Sequence, residues 1–256
     1  MLFDPVLNGG GAILDKADKA LQKVSQLLTE RETQFWQSYF ERFQQMPGAD
    51  SKFKHIAEAS DEEQLYDYLA EIKYALVFAG LGFQVEAEPL GKKGPDLRIS
   101  RDDYSAFVEV KHFRRMYPGP PNISLSDENF LDDTFFLEPY GNLERDIKKT
   151  KHRIIEKLEQ VSRGTSIIAF WNDDEDLEDI EVEQAAYQLR DDSAQGSLSL
   201  PNGLLFILYA SDWVLSGRRQ QLYCFPLQTL ETPHMNWICE LEKHSVDALV
   251  NRALDG

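Results

Sequence analysis

Residues 94–99 read GPDLRI and residues 107–111 read FVEVK, and these two stretches decide the fold. Each alternates apolar and polar side chains as a short β-strand does, so strands are predicted at 95–100 and 106–113. The polar residues 101–105 between them have the length and composition of a hairpin loop. The sequence therefore predicts an antiparallel β-hairpin at the centre of the fold.

This hairpin brings three charged side chains together. Glu109 and Lys111 are two residues apart, so both leave the same face of their strand, while Val108 and Val110 face the core. In a hairpin closed by the five-residue loop, residues whose numbers add up to about 206 face each other. That register brings Asp96 near Val110, within reach of Glu109 and Lys111.

Two carboxylates and a lysine in this arrangement suit phosphodiester hydrolysis. The oxygens of Asp96 and Glu109 can hold a hard divalent cation, which polarises a phosphate and lowers the pKa of an attacking water. The carbonyl of Val110 is a candidate third ligand. Lys111 can orient the water or offset the charge that grows on the phosphoryl oxygens. Asp96, Glu109 and Val110 are thus the predicted metal ligands.

These residues resemble the motif of the PD-(D/E)xK nuclease superfamily. Pro95-Asp96 matches the first half of the motif and Glu109-Val110-Lys111 the second. The superfamily places a glutamate on the helix before its strands, and Glu71 fits that place as a further catalytic residue. The resemblance covers residues 61–171. It implies a restriction-endonuclease-like α/β core with a mixed sheet in αβββαβ order, magnesium or manganese dependence, and cleavage of nucleic acid.

Each of these residues also has a structural interpretation. Asp96 can be a turn residue after Pro95, Glu109 and Lys111 can be an exposed cross-strand charge pair, and Glu71 can be a solvated acid on a helix. Only the convergence of all four side chains favours a catalytic centre.

Other residues capable of chemistry are better explained by the fold. His112 projects to the face opposite Lys111, which favours a buried structural histidine. Glu86 and Glu88 could aid metal binding, but their place on the polar face of a strand favours contact with solvent. Cys224 and Cys239 are too few for a disulfide framework and lack zinc-site spacing, so they are expected to be buried thiols.

Residues 1–50 are predicted to form a helical extension in front of a nuclease-like domain at 51–256. Two apolar stripes with helical spacing, one between Leu14 and Leu28 and one between Phe35 and Phe43, indicate one long helix or a helical hairpin. The stripes can pack on the core of the same chain or form a homodimer, and the sequence favours neither.

The remaining elements follow from periodicity and breakers. Asp61 or Ser60 can cap a helix that ends at residues 80–82. The proline-containing stretch 114–140 has the length of a functional lid. The predicted further strands are 83–89, 166–171, 204–210 and 221–225, and the further helices are 143–161, 181–190 and the C-terminal residues.

The helix predicted at 143–161 is the expected phosphate-contacting surface. It carries Lys148, Lys149, Lys151 and Arg153, which are the predicted nucleic-acid-binding residues. Acidic neighbours on the same helix could instead pair with these cations, in which case the charges are only solvated.

The formal net charge of −17 excludes a protein that coats nucleic acid indiscriminately, because phosphate is repelled by such a surface. The acidic run at 173–183 is expected to be a solvated loop and helix start. No apolar run approaches the roughly 20 residues that cross a bilayer, and no secretory signal is recognisable, so a cytoplasmic location without membrane contact is expected.

Two functions from different classes remain in view. The first is a magnesium- or manganese-dependent nuclease acting on nucleic acid, with DNA expected over RNA. The second is a catalytically silent nuclease fold that serves as a binding or assembly module, which the strong acidity favours. A nucleotide-binding protein is not supported, because no phosphate-binding glycine loop follows a strand.

Overall fold

The computed structural model describes the greater part of the chain. The described residues are 15–26, 29–91, 93–113, 143–158, 161, 164–172, 179–211, 222–230, 232–241 and 243–255. The predicted lid at 114–140 and the first part of the acidic run, 173–178, lie outside them.

The described residues form eight helices and six strands. The N-terminal and central elements are α1 (Lys16–Ser25), α2 (Glu30–Phe43), α3 (Ala49–Ala57), α4 (Glu62–Gly80), β1 (Gln84–Ala87), β2 (Leu97–Arg101) and β3 (Tyr104–Phe113). They are followed by α5 (Leu143–Lys157), β4 (Ser166–Asn172), α6 (Asp179–Ala194), β5 (Leu204–Ser211), β6 (Leu222–Pro226), α7 (Thr232–Leu241) and α8 (Val246–Asp255). The predicted order of helix, three strands, helix and strand is present from α4 to β4.

The six strands form one mixed sheet in the order β1-β2-β3-β4-β5-β6. The β1–β2, β2–β3 and β5–β6 pairs are antiparallel, whereas β3–β4 and β4–β5 are parallel. The parallel pairs are possible because α5 and α6 carry the chain back across the sheet. The prediction of an α/β protein with a mixed sheet and a helical N-terminal region is confirmed.

The central hairpin differs from the prediction in its turn and register. Strands β2 and β3 extend to Arg101 and Tyr104, so a two-residue turn replaces the expected five-residue loop. Asp102 has a φ of 53° in this turn, a left-handed conformation that aspartate tolerates better than most residues. Leu97 pairs with Val108, which moves the register by one residue from the predicted alignment.

Helices cover both faces of the sheet and enclose two apolar cores. The larger core lies between one face of the sheet and six helices, which are α1, α2, α3, α4, α7 and α8. That face of the sheet includes Val108, Val110 and Trp171. The smaller core joins α5 and α6 to the other face, which includes Ile168 and Phe170. Strand β4 is buried along its whole length, as expected of a strand covered on both sides.

The N-terminal helices pack on the same chain. Residues from both predicted stripes lie in the larger core, among them Val24, Trp36, Phe40 and Phe43. Helix α3 begins at Ala49, so residue 50 lies in its first turn. The division of the chain at that residue, and the homodimer, stay predictions.

Asp61, one of the two predicted caps, is the N-cap of α4. Its side chain accepts a hydrogen bond from the backbone N–H of Gln64 at 2.8 Å.

In the part of the chain that is described, none of the helices combines the length and the apolarity needed to cross a membrane.

Candidate functional site

The candidate site lies at the first residue of β2, where β3 extends beyond the end of its pairing with β2. The last β2–β3 pair is Leu97 with Val108, but β3 runs on to Phe113, paired only with β4 along these last residues. We call this place, beside residues 109–113, the sheet opening. The backbone N–H of Val110 donates there to Asp96 Oδ2 at 2.8 Å. The Asp96 side chain thus satisfies a strand N–H that β2 no longer reaches.

Glu109 lies on β3 at the same opening and is 2% exposed. Its Oε1 accepts a hydrogen bond from Lys157 Nζ of α5 at 2.5 Å, and its Oε2 is buried without a hydrogen-bond partner among the described residues. Burial and the charge of Asp96 raise the pKa of Glu109 to about 8, although Lys157 and Lys111 act in the opposite direction. The ionised form of the Glu109 carboxyl is therefore less stable in this place than it would be in water.

Glu71 approaches the opening from α4 and is buried, with 5% exposure, so it is not the solvated helix acid of the structural interpretation. Its Oε2 forms an ion pair with Lys52 Nζ. Burial and the charges of Asp96 and Glu109 raise the pKa of Glu71 well above its usual range, against the opposing effect of Lys52. Burial also raises the pKa of Asp96, which Lys52 and the N–H of Val110 partly offset. Glu71, Asp96 and Glu109 thus share one electrostatic centre, which we call the acid centre.

Lys111, the fourth predicted residue, lies beside this centre. Its Nζ is 3.1 Å from Asp67 Oδ2, and its charge lowers the pKa of Glu109. Asp67 was not singled out from the sequence. Because it precedes Glu71 by one turn of α4, helical spacing alone could have indicated it.

The acid centre is also a candidate metal site. Within the described ranges, no three histidine, cysteine, aspartate or glutamate side chains are grouped closely enough to hold an ion. Magnesium commonly takes only one or two protein carboxylates, with water and substrate phosphate as its other ligands. Asp96 and Glu109 fit that smaller set. The unpartnered Oε2 of Glu109 and the raised pKa values of both acids are features that a bound cation would relieve.

A second group of charged residues adjoins the acid centre and was missed from the sequence. Lys52 of α3 is 2% exposed and lies 2.9 Å from Glu88 Oε1 as well as against Glu71. Ser51 Oγ and His55 Nδ1 bind the same Glu88 carboxylate at 2.5 and 2.7 Å. The predicted contact of Glu88 with solvent is therefore wrong, because Glu88 follows the end of β1 with a φ of 49° and turns inward.

The predicted nucleic-acid-binding residues all lie on α5, and each has a partner within the chain. Lys148 is 2.7 Å from Glu144, Lys149 is 3.7 Å from Asp146, and Lys151 is 2.5 Å from Asp192 of α6. Arg153 stacks its guanidinium over the ring of Phe113. Lys148 remains largely exposed despite its ion pair, so it can still meet a phosphate.

The remaining candidates have structural places. His112 is buried and stacks on Tyr66, as predicted for a structural histidine. Glu86 pairs with Arg98 at 2.5 Å. Cys224 forms no disulfide among the described residues and is half-buried, whereas a buried thiol was expected; the side chain of Cys239 lies outside the described residues.

Comparison of the chain with protein-family models, with curated proteins and with solved structures finds no match.

Proposed function

We propose that the protein is a metal-dependent nuclease that hydrolyses phosphodiester bonds of nucleic acid, with DNA as the expected substrate. The observation that carries this proposal is the acid centre beside Lys111, where burial raises the pKa values of Glu71, Asp96 and Glu109, and the charge of Asp96 raises those of the two glutamates further. Groups with strongly shifted pKa values in one place are more typical of active sites than of structural ion pairs.

The order of elements supports the finer proposal of a PD-(D/E)xK, restriction-endonuclease-like core. The run α4-β1-β2-β3-α5-β4 is the order that the motif implies. Asp96 directly precedes β2, and Glu109 and Lys111 lie on β3, so the motif residues meet at one end of a hairpin. Fold alone does not decide function, and the proposal therefore depends on the side chains at the opening.

The proposed cofactor is Mg²⁺ or Mn²⁺, held by carboxylate oxygens of Asp96 and Glu109 and by the carbonyl of Val110. When bound, such an ion polarises the phosphate and lowers the pKa of a water. Lys111 would place its ammonium near the phosphoryl oxygens, where negative charge grows during hydrolysis. Glu71 would contribute a third carboxylate close to the reacting groups.

Substrate contact is proposed for α5. Lys148, Lys149, Lys151 and Arg153 would meet phosphates of the substrate strand, which positions nucleic acid without reading its sequence. To do so, the three lysines would have to leave their acidic partners on α5 and α6 and bind phosphate groups in their place. Such local contact is compatible with a net charge of −17, because most of the surface still repels nucleic acid.

A silent binding module is the second candidate, and one observation favours it. Lys52 and Lys157 already pair with Glu71 and Glu109, so part of the negative charge of the centre is neutralised from within the chain. A fold that no longer binds metal would be stabilised by such internal cations.

Cleavage assays separate the two candidates. Labelled single- and double-stranded DNA and RNA would be incubated with the protein and Mg²⁺ or Mn²⁺, beside Asp96→Asn and Lys111→Met. We expect each variant to lower the cleavage rate by roughly a hundredfold or more, because each removes a charge from the reacting groups. Asp103→Asn and Lys93→Met are matched controls, since both residues are exposed, and they should cut at the wild-type rate.

The outcomes decide between an enzyme and a binder. If the two site variants lose cleavage while the two control variants keep it, the result supports a nuclease with this centre. A wild-type protein that binds no divalent metal and cuts none of the three substrates would refute the proposal and favour the silent module. Equal activity in the site variants and the wild type would refute the site.

A further inference from the structure

The buried lysine of α3 carries an inference beyond the motif residues. Lysine is rarely buried completely unless its charge is paired. Lys52 is 2% exposed and contacts Glu71, Glu88 and the ring of Tyr68, with its Nζ 4.9 Å from the ring centroid. One ammonium therefore links a residue of the acid centre to one outside it.

The backbone around α3 fixes where this ammonium lies. The N–H of Ala87 donates to the carbonyl of Pro47 at 2.8 Å, which ties the start of α3 to the end of β1. Gly48 has a φ of 84°, and a Cβ there would lie 1.9 Å from the Ala87 carbonyl oxygen. Lys52 is one turn further along the same helix, so its position is set by this close backbone contact.

The two carboxylates that Lys52 bridges are held differently. Glu88 has further partners in Ser51 and His55, which belong to α3 itself. Among the described residues, Glu71 is paired with Lys52, and the charges of Asp96 and Glu109 repel its carboxylate. The contact with Lys52 therefore anchors a carboxylate that its other charged neighbours would drive away from the opening.

We propose that Lys52 is a positioning residue of the acid centre, which holds Glu71 beside Asp96 and makes α3 a part of the active site. This inference rests on the proposed nuclease function for its catalytic consequence. Lys52 itself touches no substrate or metal in this scheme.

The kinetic test compares Lys52→Met with Glu88→Gln. Both variants disturb the same charged network, but only Lys52→Met releases Glu71. For cleavage measured where each variant is fully folded, Lys52→Met should lower kcat by roughly a hundredfold with KM within about twofold of wild type. Glu88→Gln should keep kcat within about threefold. Lys54→Met, on the exposed side of α3, is a matched control and should equal the wild type.

A melting test examines the contact without relying on activity. Loss of one partner of a buried ion pair leaves the other charge uncompensated, so Lys52→Met should lower the Tm by roughly 10 °C. Adding Glu71→Gln to Lys52→Met should restore part of that loss. If Lys52→Met does not fold, Lys52→Met with Glu88→Gln takes its place in the kinetic test, because it removes the second uncompensated charge and still releases Glu71.

The two tests fail in distinguishable ways. If the wild type cuts nucleic acid but Lys52→Met keeps kcat within about threefold, or lowers kcat no more than Glu88→Gln, the positioning role is refuted. If Glu71→Gln and Lys52→Met lower the Tm additively, the contact itself is refuted. If the wild type does not cut, the nuclease proposal fails, and the melting test still decides whether Lys52 anchors Glu71.

Discussion

At the scale of single residues, the acid centre is defined by how each carboxylate is paired. Every acid at the sheet opening has a donor from a different part of the chain. The pairs are Asp96 with the Val110 N–H, Glu109 with Lys157, Glu71 with Lys52 and Asp67 with Lys111. Three of the four donors are lysines, so the site holds alternating charges in a largely buried place, where each pair strongly affects the next.

The raised pKa of Glu109 makes a prediction about stability. A carboxyl whose pKa is about 8 when folded and near 4.5 when unfolded binds its proton more tightly in the native state. Its contribution to the free energy of unfolding is present below pH 4.5 and is lost as the pH rises towards 8. Glu109→Gln has no such group, so between pH 5 and pH 8 its stability relative to wild type should rise by about 2 kcal/mol or more.

Urea unfolding at pH 5, 6.5 and 8 in the presence of a chelator measures this difference. The chelator matters because a bound cation would favour the charged carboxylate and hide the effect. A difference between Glu109→Gln and wild type that stays constant over this range would contradict the raised pKa.

At the scale of elements, α3 brings Lys52 to the site, and the sequence did not predict this helix. Met46-Pro47-Gly48 separates α2 from α3, and the nine residues of α3 carry only a weak apolar pattern. Their helix depends on Gly48 and on packing of Phe53 and Ile56 in the larger core. Short helices of this kind owe their stability to tertiary contacts rather than to local propensity.

Gly48 is therefore expected to tolerate no side chain. Gly48→Ala would combine a left-handed backbone with a Cβ placed 1.9 Å from the Ala87 carbonyl oxygen. Gly82 has nearly the same φ, 83°, but a Cβ there meets nothing within 4 Å. Gly82→Ala should thus cost only the backbone strain, about 1 kcal/mol, whereas Gly48→Ala should cost at least about 2 kcal/mol more.

Chemical denaturation gives the free energy of unfolding of both variants. Because the two glycines have nearly the same φ, the difference between the two losses is the steric cost at Gly48. Similar losses in both would mean that α3 does not approach β1 as closely as described. A clearly larger loss in Gly48→Ala than in Gly82→Ala would support the contact that places Lys52.

Strand alternation predicted much of the candidate site, because it depends on local geometry. The period of two placed Glu109 and Lys111 on one face of β3, and the hairpin brought Asp96 to Val110. The register was wrong by one residue because the turn closes with two residues instead of five, a choice that Asp102 makes possible. Asp96 still reaches Val110, since a side chain spans that difference.

The buried cations could not be predicted in the same way. Helical spacing puts Lys52 on the same face as Phe53 and Ile56, and Lys54 on the exposed face. The partners of Lys52, Glu71 and Glu88, are distant in sequence, so the spacing does not identify them. The expected solvent contact of Glu88 requires the alternation of β1 to continue past Ala87, but the strand ends there. Burial of a charged group depends on its partners, and these are known only once the elements are packed.

At the scale of the whole molecule, the N-terminal helices and the sheet share one apolar core. Phe40 of α2 is 2% exposed, with its ring centroid 5.0 Å from that of Phe53 in α3. Phe35 lies on the same helix but is 54% exposed. The two phenylalanines therefore separate packing within the chain from any contact with a second copy.

Substitution of each by alanine should give opposite results. Phe40→Ala opens a cavity in the shared core and should cost about 3–5 kcal/mol, which lowers the Tm by roughly 6–20 °C. Phe35→Ala should change stability by no more than about 0.5 kcal/mol. Thermal melting of both variants measures this contrast, and sedimentation shows whether the wild type is a homodimer that Phe35→Ala weakens. If Phe40→Ala has the same Tm as the wild type, α2 does not pack on the core. Among these two helices, only α3 would then connect the N-terminal residues to the acid centre.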